Sequence, residues 1–413
     1  LRLMLYGGER QTTQFQAIPP SAQLNPLHAG GVIDLKRDYA GLDARWTASL
    51  QLAGRPFELV AGLAYDALQE QRRGYENFVG PVAAPLLGVQ GRLRRDERND
   101  VSNLDPYVQT RWRFADRWTL EAGLRHSAVR FASHDRYVVG ANGDDSGAVR
   151  YRQALPVAAL RYAATPDLSL YATVGRGFET PTLNELSYRP GGLAGLNFAL
   201  RPSVNDSVEV GAKARVAGGL LTAALFQTRT ADEIVTDTNI GGRATFQNAG
   251  RTRRDGFELG WTNEAAAHWR TQLAWTWLDA RYRDAFCSPS PCAAGNAVAA
   301  GNRIPGIAKQ SVFASFGYAP PEGWRAGAEL RALGRIQAND GNTASVPGYA
   351  VAALHAGYVR RWQRWEFNAF ARIDNLFDRR IIGSVIVNEG NARYFEPAPG
   401  RAWTAGLGAA YRF

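Results

Sequence analysis

The side chains of this 413-residue sequence best suited to chemistry are its arginines. Of its 48 lysines and arginines only Lys36, Lys213 and Lys309 are lysines, and the formal net charge is +10. A guanidinium is planar, always charged and able to grip carboxylate or phosphate with two parallel hydrogen bonds. An arginine-rich lining therefore suits an anionic ligand. Arg92, Arg94, Arg95, Arg176, Arg189, Arg201, Arg243 and Arg303 lie in long polar connections or on polar strand faces, where several could meet one ligand. Tyr188 and Phe198 could cover its apolar body, and Asn197 could reach inward beside Arg189 and Arg201.

Catalytic chemistry has little to stand on. There is no nucleophile elbow, metal-protease helix or phosphate loop, and His28, His126, His134, His268 and His355 show no ligand spacing. A hydrolase would have to use His126, or His134 with Asp135, and these read as solvated residues. No helix-turn-helix, zinc finger or basic helix is present, so nucleic acid is not an expected partner. The only cysteines, Cys287 and Cys292, enclose Ser288, Pro289, Ser290 and Pro291. An even pair in an oxidising compartment favours a disulfide, because two thiolates lack the further ligands of a closed metal site. No metal and no cofactor are expected.

The elements that must position these groups are strands. Arg401 to Phe413 alternates Trp403, Ala405, Leu407, Ala409, Tyr411 and Phe413 with small or polar residues and ends on an aromatic. The same two-faced pattern recurs upstream, as where Trp118, Leu120, Ala122 and Leu124 alternate with Thr119, Glu121, Gly123 and Arg125. A membrane β-barrel presents such strands, apolar to lipid and polar to the lumen. The 43 glycines, the 11 Trp, 16 Tyr and 18 Phe, and the lack of an apolar run near the roughly 20 residues of a membrane helix agree with it. The pattern predicts seventeen strands, the first two being Leu1 to Tyr6 and Gln11 to Ile18 around a Gly7 to Arg10 turn. Short turns, among them Asn263 to His268, alternate with long connections throughout. Trp118, Trp269, Trp324, Trp362 and Trp365 all stand beside short turns, where an interfacial girdle belongs. The expected fold is all-β: a transmembrane antiparallel up-and-down barrel, with residues 1–413 forming one barrel domain.

Several stretches then resemble one family. Asn375, Leu376, Phe377 and Asp378 end a strand, and Tyr394 to Arg401 leads into the terminal strand with Tyr411 and Phe413. This is similar to the carboxyl-terminal signature of TonB-dependent outer-membrane receptors. Gly175 to Phe178 with Thr180, Pro181, Thr182, Leu183 and Glu185, Asp232 to Ile234, and Gln247 to Gly250 with Gly256, Phe257 and Glu258 resemble the same family.

The resemblance implies a 22-stranded barrel filled by an amino-terminal plug in a Gram-negative outer membrane. It implies energised import of a chelated nutrient, here a ferric siderophore. Implied partners are the ferric chelate, a TonB-type coupling protein, outer-membrane lipid and lipopolysaccharide, and the barrel-assembly machinery. A passive porin, import of cobalamin or an oligosaccharide, and an outer-membrane hydrolase are the alternatives. Neither plug nor coupling motif is legible here, and Leu1 to Tyr6 carries no leader pattern. The expectation is a barrel truncated on its amino-terminal side, with Leu1 outside the cell, Phe413 in the periplasm and unpaired terminal strands. The connection Glu179 to Pro202, with Gly191, Gly192 and Gly195, is expected to close over bound ligand.

Overall fold

Period-2 alternation and frequent β-branched and aromatic residues commit the chain to strands, and the computed structural model places sixteen of them in one antiparallel sheet. It describes residues 1–240, 243–263 and 268–413, so the interior of the expected Asn263 to His268 turn lies outside the described residues. The strands are β1 (Arg2–Phe15), β2 (Val32–Leu52), β3 (Arg55–Tyr75), β4 (Leu93–Trp112), β5 (Trp118–Asp135), β6 (Gly147–Ala163), β7 (Leu168–Glu179) and β8 (Ser203–Val216). They continue with β9 (Gly219–Ala231), β10 (Thr252–Asn263), β11 (Trp269–Tyr282), β12 (Gln310–Tyr318), β13 (Gly323–Leu333), β14 (Tyr349–Trp362), β15 (Trp365–Asp374) and β16 (Ala402–Tyr411). Each pairs with its neighbours in sequence, and β1 and β16 are the two open edges. The sheet curls on itself. Arg243, beyond β9, donates to the Gly30 carbonyl beside β2, and Asn388, beyond β15, donates to the Thr236 carbonyl at 2.8 Å.

The expected seventeen strands are corrected to sixteen because Gly7 to Arg10 does not turn. Those residues pair straight through with Ala40, Tyr39, Asp38 and Arg37 in a single strand, β1. The glycines serve a different purpose. A Cβ on Gly8 would stand 2.5 Å from the Tyr39 hydroxyl, and one on Gly41 would stand 2.2 Å from the Tyr6 ring. Tyr107 covers Gly62, Tyr171 covers Gly211, Phe226 covers Gly256 and Phe370 covers Gly406 in the same way, each from the directly opposed position. An aromatic ring laid over a bare cross-strand backbone covers what glycine leaves exposed. With an even strand number, β1 starts at the short-turn end where β16 finishes, so Leu1 is not at the opposite end as expected.

Two strands also run further than their apolar pattern. The expected polar connection Gln69 to Asp100 contains the upper part of β3 and the start of β4, paired from Gln69↔Asp100 to Gly74↔Arg95. Here both faces are polar, so hydrophobic alternation vanishes while the backbone ladder continues. Inward-facing charges hold it: Glu70 accepts from Arg37 at 2.6 Å and from Asn99 at 3.0 Å.

At the short-turn end, aromatics pair across strands as a girdle requires: Trp118 with Tyr162 at 4.5 Å, Trp269 with Phe316 at 4.8 Å, Trp324 with Tyr358 at 5.1 Å, and Trp365 with Tyr411 at 5.1 Å. Two-residue hairpins such as Ala217 and Gly218 have positive φ at both positions, which matches the twist of the flanking strands. Buried apolar clusters lie at the other end. One joins Phe131 and Tyr151 of the wall to Leu186, Leu196 and Leu200 of the connection after β7, and a second joins Val235, Ala249, Tyr282 and Val298.

Candidate functional site

The long-connection end holds a cavity of about 470 Å³, lined by polar wall residues of β4 and by segments that fold inward. One wall comes from the connection after β7. Thr182 caps its short helix Leu183–Leu186 through a reciprocal capping box with Glu185, and the Tyr151 hydroxyl donates to the Leu200 carbonyl at 2.7 Å. Between these anchors the chain runs past Tyr188, Arg189 and Gly191 to Gly195, all lining the cavity. The other walls are Asn25 to Ala29 before β2, Arg94 and Arg95 of β4, and Arg243 of the hairpin formed by Ile234–Ile240 and Arg243–Asn248.

Tyr188 is the hub. The guanidinium of Arg243 lies 4.8 Å from its ring centre, that of Arg72 5.4 Å and that of Arg95 5.9 Å. Arg72 donates to the Tyr188 hydroxyl at 3.2 Å and to Ser187 Oγ at 2.6 Å, while Arg95 donates to the Ser187 carbonyl at 2.9 Å. Near these three cations stand Glu97, bonded to Arg95 at 2.5 Å, and Glu70, whose charge also favours Arg72 and Arg95, while Asp135 and Asp145 line the cavity beside them. Among the described residues, buried donors remain unused at Arg95 Nη2 and Arg243 Nε, as does the buried acceptor Glu97 Oε2. Burial pushes the Tyr188 hydroxyl up, but Arg72, Arg243 and Arg95 outweigh it and pull the group below its ordinary value. At the opposite wall, burial first, then Arg243 and Arg94, lowers His28 to about 4. Its Nδ1 accepts from the Gly30 amide at 3.1 Å, so a neutral imidazole fits the bond. A surplus of guanidinium in a concave, partly dry space is built to receive oxygen anions.

Of the residues singled out from sequence, Tyr188, Arg189, Arg243, Arg94 and Arg95 meet at this cavity. Arg189 is held by Asp145 at 3.3 Å. The others lie elsewhere. Arg176 alternates with Gly175 and Gly177 and shares the outward face of Val174, where Asp206 grips it at 2.8 Å and 3.0 Å. Arg201 pairs with Asp232 at 2.6 Å, and Arg303 with Asp279 at 2.9 Å. Asn197 is buried, donating to the Phe246 carbonyl at 3.4 Å, and Phe198 packs on the Phe131 cluster. Arg72, Glu97 and His28 were not singled out. The signal for Arg72 and Glu97 was present in their charge on opposed strand positions, but both fell in a stretch read as a connection. Cys287 and Cys292 are joined by a disulfide away from the cavity. In the terminal stretch, Asn375 exchanges hydrogen bonds with the Arg379 backbone at 2.8 Å and 2.9 Å, and Asp378 accepts from the Arg401 amide at 2.8 Å. The Phe377 side chain is exposed, while the Leu376 amide donates to the Ala352 carbonyl at 2.8 Å.

The family described as "TonB dependent receptor-like, beta-barrel" matches residues 5–376. The chain belongs to the TonB-dependent receptors. The metal-pseudopaline receptor CntO of Pseudomonas aeruginosa (strain UCBPP-PA14) is 24% identical over 394 residues, 90% of this chain and 51% of CntO. The solved siderophore receptor PiuA of Acinetobacter baumannii superposes with a TM-score of 0.76 at 17% identity, covering 99% of this chain and 61% of PiuA. The ferric citrate transporter FecA, unliganded, superposes with a TM-score of 0.71 at 16% identity, covering 92% of this chain and 56% of FecA. At such identities the superpositions speak for the fold alone. The chain spans about half the length of the curated relative CntO.

Membership places this TonB-dependent receptor barrel in the outer membrane of a Gram-negative bacterium. Short turns of such barrels face the periplasm and long loops face outside. The arginine-lined cavity is therefore at the extracellular mouth of the receptor.

Proposed function

We propose that this TonB-dependent receptor imports an anionic metal chelate of the ferric-siderophore class across the outer membrane, energised through a TonB-type coupling protein. The observation that carries the reading is the mouth cavity, lined by Arg94, Arg95, Arg189 and Arg243 against Glu97, Asp135 and Asp145, with buried Arg72 joining Arg95 and Arg243 around Tyr188. Carboxylate, catecholate or hydroxamate oxygens would complete the idle donors of Arg95 and Arg243. Relatives and fold neighbours named for metal-pseudopaline, siderophores and ferric citrate support a chelated metal as cargo. A catalytic reading has no support of comparable kind.

The tip of the connection after β7 would close on the cargo. Gly191, Gly192 and Gly195 have positive φ and line the cavity, whereas Leu186, Leu196 and Leu200 anchor the flanks. The test is uptake in the source bacterium under iron limitation, using radiolabelled ferric catecholate, hydroxamate and carboxylate chelates. Deleting the gene should abolish uptake of one class, and a protonophore should abolish it in the wild type. Uptake unaffected by deletion for every chelate would end the iron reading. Uptake that survives the protonophore would mark a passive channel instead.

A further inference from the structure

Arg243 stands on a hairpin whose buried carboxylate, Asp237, takes one of its donors from another connection. The hairpin strands Ile234–Ile240 and Arg243–Asn248 lose register between Thr236 and Thr238, so Asp237 has no opposed residue. A bulge of this kind re-aims a side chain. Asp237 is 2% exposed, and the donors to its carboxylate are uncharged: Gln247 at 2.9 Å, Thr245 at 3.2 Å and the Ser290 amide at 2.6 Å. The first two belong to the hairpin itself. The third comes from the ring that Cys287 and Cys292 close in the connection after β11. Gln247 reaches the same ring, donating to the Cys287 carbonyl at 2.8 Å. A buried carboxylate is costly unless its oxygens are satisfied, so the position of the hairpin is tied to that of the ring.

What this tie controls lies on the far side of the hairpin. Thr238, Ile240, Arg243 and Thr245 line the mouth cavity, whereas Asp237, Thr238 and Ile240 line a second cavity of about 330 Å³ together with Ser288 and Pro289 of the ring. The hairpin is thus a partition with open space on both faces, and Ile240 is exposed. Apolar packing holds its base, through Val235, Phe246 and the adjoining Ala249. Above the base, polar contacts brace it. The Ser290 amide grips Asp237, and from the connection after β15 Asn388 donates to the Thr236 carbonyl and the Gly390 amide to the Asn239 carbonyl, both at 2.8 Å. Asp237 is the one ionised side chain in that set. A shift of the partition towards the second cavity draws the Arg243 guanidinium away from the Tyr188 ring centre, now at 4.8 Å, and from the Gly30 carbonyl.

We propose that Asp237 is a positioning residue: gripped by the Ser290 amide of the disulfide-closed ring, it sets the hairpin so that Arg243 stands over Tyr188 in the mouth cavity. The Cys287–Cys292 bond thereby governs capture of an anionic chelate that it does not touch. The effect on affinity rests on the chelate reading given above, and the placement of Arg243 on geometry alone. The sign of the effect separates positioning from plain electrostatics. Removing a carboxylate near an anion site strengthens anion binding through charge alone, whereas removing a positioning group weakens it.

The experiment uses the full-length receptor purified from outer membranes, checked for folding by its heat-modifiable gel mobility. Phenylglyoxal, which modifies accessible guanidinium groups, is followed peptide by peptide by mass spectrometry without cargo, with the exposed Arg150 of the outer wall as internal reference. Affinity is titrated with ferric catecholate, hydroxamate and carboxylate chelates. D237A should speed Arg243 modification severalfold and weaken chelate binding about fivefold, the population shift from one lost buried hydrogen bond. D237N, which keeps an acceptor oxygen, should recover most of both. In an R243Q background D237A should weaken binding no further, because residues that act through one another are not additive. The pair variant C287S/C292S should behave as D237A does, and it carries the test if D237A does not assemble. Arg243 modification unchanged in these variants, tighter chelate binding on loss of Asp237, or an equal loss in the R243Q background overturns the proposal. A wild type that binds none of the chelates ends the functional reading instead, and the cargo-free Arg243 result still decides the placement.

Discussion

Tyr188 and the guanidiniums around it show how far single residues could be read in advance. Arg189, Arg243 and Tyr188 were legible because they stand in connections with no apolar pattern to explain them. Arg176 was misplaced because its strand position, two residues beyond Val174, puts it on the outward face beside Asp206. Arg243 is the residue most open to test, since among the described residues its side chain hydrogen-bonds the Gly30 carbonyl alone and its Nε is idle. We expect Arg243→Gln to lower chelate affinity about tenfold, the loss of one charge-assisted hydrogen bond, measured by titration of the purified receptor. His28 gives a pH dependence with a definite sign. Its pKa falls from 6.5 to about 4 on folding, so between those values the unfolded segment binds more protons. Stability of the wall Asn25 to Gly31 should therefore decline as pH falls from about 6.5 towards about 4. Hydrogen exchange of that segment, corrected for intrinsic rates, reads it, and His28→Gln should flatten the response.

Elements were legible wherever one face is apolar and the other polar, which is the membrane-spanning part of the barrel. They were illegible where both faces are polar, as in the upper parts of β3 and β4, and where glycine sits in a strand. Gly7 and Gly8 looked like a turn because the compensating rings, Tyr6 and Tyr39, belong to a cross-strand arrangement that only register reveals. The arrangement is testable at Gly256, where an added Cβ would meet the Phe226 ring at 2.1 Å. Gly256→Ala should cost about 1–3 kcal/mol by forcing that ring aside, seen as a lower temperature for loss of the folded gel band. The connection after β7 divides into anchored flanks and a free tip. Removing residues 190–195 should reduce uptake while the barrel still assembles, whereas removing 180–202 should also expose Phe131 and Tyr151 and raise protease sensitivity.

At the scale of the whole molecule, β1 and β16 expose unpaired backbone along both edges of the sheet. Unsatisfied edges template association and are costly in a bilayer. These 413 residues expressed by themselves are thus expected to aggregate in detergent, which light scattering during purification would show; a stable monomer would contradict it. The overall plan of the barrel was legible because loop length and tryptophan placement report the same polarity. Its strand number was not, since one misread glycine pair changes the count and reverses the end at which β1 begins. The heights of the strands are also unequal. β2 and β3 each have 21 residues, against 9 in β12. At about 3.3 Å per residue and a tilt near 40°, the taller wall rises about 25 Å above the apolar band. To an antibody, that wall is a polar, paired-strand surface raised above the lipid head groups, so an immune response against this receptor should concentrate on a conformational epitope where the open ends of β2 and β3 pair at Val32 and Tyr75.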